Sequence, residues 1–477
     1  MHTLHRQQLA LDASSTLPYY RQLYQRIILA IAGGTLRPGE RVPATRALAQ
    51  DLGLARGTVA TAYAMLVADG YLETHGAAGS VVAAGHLATP ILAAQPQRGE
   101  AGMVLGDGAA VPPLPFQMGL PALDAFPRKL WARIAARAAR STQSLHMVRE
   151  SSAGAPALRL AIAGYLQLSR GLACRPEQVF ITAGYRSSME LFMRALLSAG
   201  DQVWTEEPGY PPTAQVLRGA GMAPVAVPVD AVGLMVERGI AAAPAARAAV
   251  VTPAHQSPLT VTLSPARRAA LLDWAQAADA WVLEDDYDGE FHYTGRPLPA
   301  LAAHGGNAGG ERVIYSGTFS KTLFPSIRLA YLVVPAALVP RFQGASSVMS
   351  SGSPALTQGI VSDFIREGHF TRHILRMRKL YRERRAHTLR GLTRALGGGD
   401  GDAAYQSAGM HLLLPVPIGC DAVLATRMRE HGMAPLVLSD WYHAAPQAGG
   451  LLLNFTNMSS EDAAYRLGRQ IAQLRDA

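Results

Sequence analysis

Lysine is scarce in this chain. It occurs only at Lys129, Lys321 and Lys379, so any chemistry that needs a primary amine must use one of these. Lys129 (FPRKLWAR) and Lys379 (RMRKLYRERR) stand beside arginines on helical patterns that read as solvated faces. Lys321 instead closes the run Ser316-Gly317-Thr318-Phe319-Ser320-Lys321, among small and hydroxyl residues with no charged neighbour. A lysine held away from water has a depressed pKa and can form a Schiff base with an aldehyde. Four acids and a tyrosine, Glu284-Asp285-Asp286-Tyr287-Asp288, follow the apolar run Trp281-Val282-Leu283. They read either as a solvated acidic loop or as a set that needs a cation, including a cationic ligand atom, to relieve its mutual repulsion. The run ending at Ile181 leads through Thr182-Ala183-Gly184-Tyr185-Arg186 into a helical pattern over Ser187 to Leu197. That is either an ordinary strand-to-helix turn or a cradle of free N–H groups for a phosphate. Arg328, seven residues past Lys321, can hold the anionic end of the same ligand. An amine, an acid for a protonated ring nitrogen, and a helix N-terminus with an arginine for a phosphate are together what pyridoxal phosphate requires.

The elements that must position these groups are short apolar runs alternating with helical stretches. Val179 to Ala183, Val203 to Glu206, Val250 to Thr252, Trp281 to Leu283, Val313 to Tyr315 and Leu329 to Val334 are candidate strands. The alternation predicts a doubly wound, mostly parallel α/β sheet, in which ligands lie beyond the strand C-terminal ends. From about residue 365, with an Arg-rich helix over Arg372 to Arg385, the pattern becomes that of a smaller α+β lobe. Residues 85–115 carry Pro90, Pro96, Pro112, Pro113 and Pro115 without periodicity and read as an interdomain linker between 1–84 and 116–477. Within 1–84, Leu23, Ile27 and Ile31 mark one helix that ends at Gly33-Gly34. Thr45 to Gln50 and Thr58 to Ala68, separated by Gly53 and Gly57, have the order of a helix-turn-helix. Val59, Ala62, Tyr63 and Leu66 fall on one side of the third helix, and Thr58, Thr61 and Met65 on the other, with Arg56 just ahead. Tyr71 to Glu73 and His75 to Val82, turning at Gly76 and Gly79, read as a wing-like hairpin.

Composition sets the outer limits. Across 477 residues, 49% apolar and 17% charged rules out disorder as the basis of function and suggests two or three folding units. The 44 Lys+Arg against 35 Asp+Glu leave +9, which permits an anionic partner without demanding one. Residues 1–80 hold seven arginines and five acids, so charge alone does not mark a nucleic-acid module. Cys174 and Cys420 cannot make a disulfide framework or a CxxC metal site. No stretch approaches the roughly 20 apolar residues of a membrane span, and the N-terminus has no signal-peptide core. The expectation is a soluble cytoplasmic protein with no membrane association and no structural metal.

Taken in order, these segments resemble the MocR/GabR-like transcription regulators, a GntR-type winged helix fused to a fold-type-I aminotransferase-like domain. The winged-helix likeness rests on LPYYRQLYQRI, GTLRPGERVP, TRALAQDLG and RGTVATAYAMLVADGYL. The aminotransferase likeness rests on EEPGY (Glu206–Tyr210), TPAHQ (Thr252–Gln256), EDDYD (Glu284–Asp288) and GTFSKTLFPSIRLAY (Gly317–Tyr331). The resemblance implies Lys321 as the Schiff-base lysine, Asp285 as the pyridine-nitrogen partner and Tyr287 as donor to the ring hydroxyl. It also implies Tyr210 stacked on the ring with His255 or Gln256 nearby, and Gly184, Tyr185, Thr318, Ser320 and Arg328 around the phosphate. Arg46, Arg56, Thr58 and Thr61 would face double-stranded operator DNA, with the Gly76–Ser80 wing in a neighbouring groove. The assembly implied is a head-to-tail homodimer.

Three departures bear on the ligand and the DNA helix. Ala55 stands where the family has a capping serine, a loss of about 1 kcal/mol that Thr58 could partly cover. Asp440, in Leu436-Val437-Leu438-Ser439-Asp440-Trp441-Tyr442, takes the place where gamma-aminobutyrate-responsive members carry an arginine. Leu259-Thr260 stands where the family has Thr-Gly. The expected effector is therefore another amine, an amino acid held by other groups, or the coenzyme itself. Two rivals stand beside the regulator: a working aminotransferase with an accessory N-terminal module, and a coenzyme-storing scaffold.

Overall fold

The computed structural model describes residues 11–12, 17–76, 79–84, 112–141, 151–293, 299–303, 310–349, 352–397 and 406–476. It divides into two compact units, 1–109 and 110–477. Residues 85–111, most of the expected linker, lie outside the described residues.

In the first unit, α1 (Tyr19–Ala32) buries Leu23, Ile27 and Ile31, the spacing of one helical face, and ends at Gly33. Helix α2 (Thr45–Leu52) is closed by Gly53 in the left-handed region, with φ 68°. Helix α3 (Arg56–Ala68) buries Val59, Ala62, Tyr63 and Leu66. Strands β1 (Leu72–Thr74) and β2 (Ser80–Val82) pair antiparallel, with Leu72 opposite Val82. The expected helix-turn-helix and hairpin are therefore present, with one shift. Helix α3 starts at Arg56, so Arg56 and Gly57 form its first turn rather than preceding it. Ala55 is its N-cap and no side chain caps it, Thr58 included.

In the second unit the chain runs through α4 (Arg128–Arg140), α5 (Pro156–Ser169), β3 (Val179–Thr182), α6 (Tyr185–Leu196), β4 (Gln202–Glu207) and α7 (Pro211–Gly219). There follow β5 (Ala223–Asp230), β6 (Gly233–Leu234), α8 (Val236–Ala242), β7 (Ala248–Val251), α9 (Pro265–Ala277), β8 (Trp281–Asp286), β9 (Val313–Thr318) and β10 (Ala330–Val333). Among the described residues these strands form one eight-stranded sheet in the order β3-β10-β9-β8-β7-β4-β5-β6. Pairing is parallel from β9 through β5, while β10 is antiparallel to both β3 and β9. Both faces are covered, so the strands are apolar on both sides. Val282 joins the cluster of Trp204 and Trp274, and its neighbour Leu283 joins that of Phe180 and Phe192 on the other face.

The remaining helices are α10 (Val339–Val348), α11 (Ala355–Arg366), α12 (His369–Leu396), α13 (Cys420–Glu430) and α14 (Glu461–Asp476). A smaller antiparallel sheet holds β11 (Gln406–Ala408), β12 (His411–Pro415), β13 (Leu436–Val437) and β14 (Gly450–Asn454) in the order β11-β12-β14-β13. This is the expected α+β lobe.

Two sequence expectations change. Strand β8 runs three residues past Leu283, so Glu284, Asp285 and Asp286 lie inside the sheet rather than in a solvated loop; pairing with β9 continues through Asp286 opposite Gly317. Strand β5 was not anticipated, because Pro224 and Pro228 argue against a strand. It pairs with β4 on one side, while β6 reaches only its last two residues, leaving an open edge on which a missing N–H costs little. No helix among the described residues is long and apolar enough to cross a membrane.

Candidate functional site

Register brings the chemistry together. Ala330, where β10 begins, stands opposite both Thr182 at the end of β3 and Thr318 at the end of β9. Asp285 in β8 stands opposite Ser316 in β9. Because β10 runs against its neighbours, Arg328 just before it reaches the same sheet edge as Gly184 after β3 and Lys321 after β9. A cavity of about 380 Å³ opens there, and its wall includes Tyr185, Tyr210, Asp285, Tyr287, Lys321 and Arg328. Thr318 and Ser320 also line it. Of the three lysines, Lys129 and Lys379 are exposed on α4 and α12, and only Lys321 reaches the cavity.

The acids after Leu283 are sorted by partner. Glu284 accepts backbone N–H bonds from Leu301 (2.8 Å) and Ala302 (3.0 Å). Asp286 pairs with the buried Arg170 at 2.6 Å and accepts from Tyr315 at 2.7 Å. Asp288 meets His255 Nδ1 at 2.9 Å. Among the described residues, Asp285 alone of the four has no strong protein partner: Ser316 Oγ stands 3.5 Å away. Burial, then Asp286 and Glu206, pushes its carboxyl up to about 7. A buried carboxyl on a cavity wall with only a long hydrogen bond fits a cationic ring nitrogen.

The other walls fit the rest of pyridoxal phosphate. The Lys321 ammonium donates to the Gly119 carbonyl at 3.1 Å, and burial lowers its pKa against the pull of Asp288 and Asp285. The Tyr287 hydroxyl is buried beside Ser257 and makes no well-formed hydrogen bond among the described residues. Burial holds that phenol well above its ordinary pKa, so it keeps a proton to donate. Gly184 caps α6 at φ 116°, a conformation that favours glycine, and a Cβ there would stand 3.8 Å from the Arg328 guanidinium. The first-turn N–H groups of α6 and the Arg328 guanidinium thus meet at one spot suited to a phosphate. Arg328 itself is held at φ 49°, a conformation that non-glycine residues rarely adopt, at the point where the chain turns into β10. Tyr210 lies edge-on to Tyr185 with ring centroids 5.5 Å apart.

His255 and Gln256 are not in the wall. The Gln256 amide turns back to donate to the carbonyls of Pro208 (2.8 Å) and Ser257 (3.0 Å), and its oxygen accepts from Leu259. Thr252 and Ser257 of the same tract line the cavity instead, and His255 acts on it only through Asp288. Asp440 is exposed and outside the wall, while Leu436 and Trp441 on either side of it line the cavity. Sequence reasoning missed Met118, Gly119, Met410, His411 and Asn454. The last two carry a readable signal, a polar residue closing each of the apolar strands HLLLP and GLLLN, which stand opposite one another in register.

In the first unit, Arg46 on α2 is exposed, as are Arg56 and Thr61 on α3, and Thr58 is half-buried; none of the three α3 residues is among the buried residues of that helix. The Thr61 hydroxyl donates to the Gly57 carbonyl at 2.9 Å, which leaves its lone pairs outward.

Residues 124–419 match the family described as aminotransferase class I and II, and residues 19–82 match the bacterial regulatory proteins of the gntR family. The chain is 37% identical over 462 residues to the probable rhizopine catabolism regulatory protein MocR of Rhizobium meliloti, covering 93% of this chain and 91% of that protein. It is 30% identical over 462 residues to the pyridoxine biosynthesis transcriptional regulator PdxR of Corynebacterium glutamicum, covering 96% and 95%. Among solved structures, an archaeal alanine:glyoxylate aminotransferase superposes with a TM-score of 0.69 at 25% identity, over 77% of this chain and 91% of that one. The alpha-aminoadipate aminotransferase LysN of Thermus thermophilus gives 0.67 at 26% identity, over 76% and 92%. Fold and site therefore define a pyridoxal-phosphate-binding, fold-type-I aminotransferase-like unit carried behind a GntR-type DNA-binding winged helix. The chain belongs to the MocR-type transcription regulators.

Proposed function

We propose that this regulator senses an amine, or the coenzyme itself, in the cavity at the strand ends and passes the result to operator DNA. When bound, pyridoxal phosphate supplies an aldehyde that condenses reversibly with amines. Lys321 is the chain's own amine for that aldehyde, and an effector amine competes with it. Asp285 would take the ring nitrogen, Tyr287 would donate to the ring hydroxyl and Tyr210 would stack on the ring. Tyr185, Thr318, Ser320, Gly184 and Arg328 surround the phosphate. His255 positions Asp288, and Gln256 fixes the loop that carries Thr252 and Ser257. Arg46, Arg56, Thr58 and Thr61 meet the DNA, and a head-to-tail homodimer presents two such helices to one operator. An effector changes DNA binding only to the extent that it binds one arrangement of the protein better than another.

The observation that carries this reading is the meeting, in one cavity wall, of the only inward lysine with a weakly partnered buried Asp285 and with Arg328 beside Gly184. Footprinting the DNA upstream of the protein's own gene, with and without pyridoxal phosphate, tests it. The wild type should protect a discrete site and respond to the coenzyme. Lys321→Ala should lose both the response and the yellow absorbance. Rapid multiple turnover of amines with a keto acid, and no protected site, would instead make the chain an aminotransferase.

A further inference from the structure

The cavity wall has two sides of unlike character. Strand ends of the large lobe supply Asp285, Ser316, Thr318 and Arg328, while Gly119 and the small-lobe residues Met410, His411, Trp441 and Asn454 close the opposite side. With Lys321, Asp285 and Arg328 assigned to the coenzyme, Asp288 is the one other formally charged side chain in the wall among the described residues. Among the described residues, no arginine or lysine beyond Lys321 and Arg328 is left there to face a ligand carboxylate.

Asp288 is 1% exposed. Its Oδ1 is engaged by His255 Nδ1 at 2.9 Å, whereas Oδ2 is buried without a hydrogen bond among the described residues and packs against Gly409, where a Cβ would stand 1.9 Å away. A buried carboxylate oxygen left unpaired is costly and calls for a donor. His411 offers another acceptor. Its Nε2 lies 3.0 Å from the Pro258 carbonyl, so that nitrogen carries the hydrogen. Burial lowers the ring's pKa, which keeps it neutral with Nδ1 as an acceptor. Asn454 adds little, since its amide donates to Leu120 at 2.9 Å and its oxygen accepts from the Thr456 backbone and hydroxyl at 2.7 Å each. Among the described residues, the ligand side of the cavity thus presents acceptors and no cation.

Building on the reading above that this cavity takes an amine effector, we infer that the effector is a carboxylate-free amine with a second hydrogen-bond donor, hydroxyl or ammonium, which Asp288 accepts. Amino acids, whose carboxylate would face Asp288 with no compensating cation, are selected against.

Full-length protein loaded with pyridoxal phosphate tests this by titration with four amines of similar length, followed through the coenzyme absorbance. The four are putrescine, aminobutanol, butylamine and gamma-aminobutyrate, which share the reacting amine and differ at the far end. Putrescine, aminobutanol or both should half-saturate at concentrations about tenfold below butylamine, and gamma-aminobutyrate should bind more weakly than butylamine. A gain shared by putrescine and aminobutanol marks a hydroxyl-type donor as sufficient, and a gain confined to putrescine marks an ammonium; both outcomes support the inference. Asp288→Asn should erase the gain while the coenzyme absorbance persists. The ranking in the wild type stands as a test even if that variant folds poorly. Gamma-aminobutyrate binding as tightly as putrescine, or four equal affinities, would overturn the inference while leaving the amine-sensing reading intact. A loaded protein that answers none of the four would overturn both.

Discussion

Thr260 shows how much a single residue can concede to its place beside the site. It holds φ at 62° while buried, and donates its N–H to the Gln256 carbonyl at 2.7 Å within the turn that carries Gln256 and Ser257. A β-branched residue in that region is strained, and this is the position where the family resemblance implies glycine. Thr260→Gly should therefore raise stability by about 1 kcal/mol, after the loss of a buried methyl and the greater freedom of the unfolded glycine are set against relief of strain. A urea midpoint that falls instead would show that the threonine's contacts outweigh its backbone cost. At this scale the sequence was most legible where composition is unusual. Three lysines, one of them among hydroxyls, singled out Lys321, and the acidic run offered four acids, among which the family resemblance implied Asp285. What it could not show was which acid keeps a free face, because the partners that occupy the others, Arg170 for Asp286 and His255 for Asp288, are distant in the chain and arrive only by folding. The same reason hid the outward turn of Asp440, which is exposed and stands outside the cavity wall.

Helix α3 carries Arg56, Thr58 and Thr61, which we propose meet DNA, and its N-cap residue does not cap its first turn. Ala55 supplies no side-chain acceptor, and Arg56, Gly57 and Thr58 begin the helix. Ala55→Ser should add about 1 kcal/mol to the stability of the winged helix by accepting from the N–H groups of that turn, read as a higher thermal midpoint of its transition. An unchanged midpoint would mean that water already serves those donors equally well. Since Arg56 now sits within the first turn, its exposed guanidinium is carried on helical backbone. Arg56→Ala should weaken operator binding by about 1–3 kcal/mol if it reads a base edge, and a uniform loss on all sequences with a smaller salt slope would assign it to phosphate. Helices and strands with strong periodicity were readable in advance, as Val59, Ala62, Tyr63 and Leu66 show. Boundaries were not: β8 continues through Asp286 because β9 goes on pairing with it, and β5 survives two prolines because one of its edges is open.

At the scale of the whole molecule, the site stores its chemistry as buried carboxyls whose protonation is tied to folding. Burial pushes Glu206, Glu284 and Asp285 each up to about 7. A carboxyl whose folded pKa is raised contributes stability that is fully present below its ordinary range and is lost as pH rises through the folded value. Glu206 and Glu284 accept hydrogen bonds from Thr252 and from Leu301 and Ala302, so they lose this contribution alike with or without coenzyme. Asp285 differs, because its only protein hydrogen bond among the described residues is the long one from Ser316, and a cationic ring nitrogen would keep its carboxylate charged at no loss. The stability gap between coenzyme-loaded and coenzyme-free protein should therefore widen from about pH 5 to about pH 8, by about 1–3 kcal/mol, as measured by paired thermal melts. Lys321 also becomes a better partner for an aldehyde as pH rises, and Asp285→Asn separates the two contributions. That variant keeps the lysine and lacks the titrating carboxyl, so its gap should widen less than the wild type's. Equal widening in both would assign the pH dependence to Lys321 alone and remove Asp285 as the partner of the ring nitrogen.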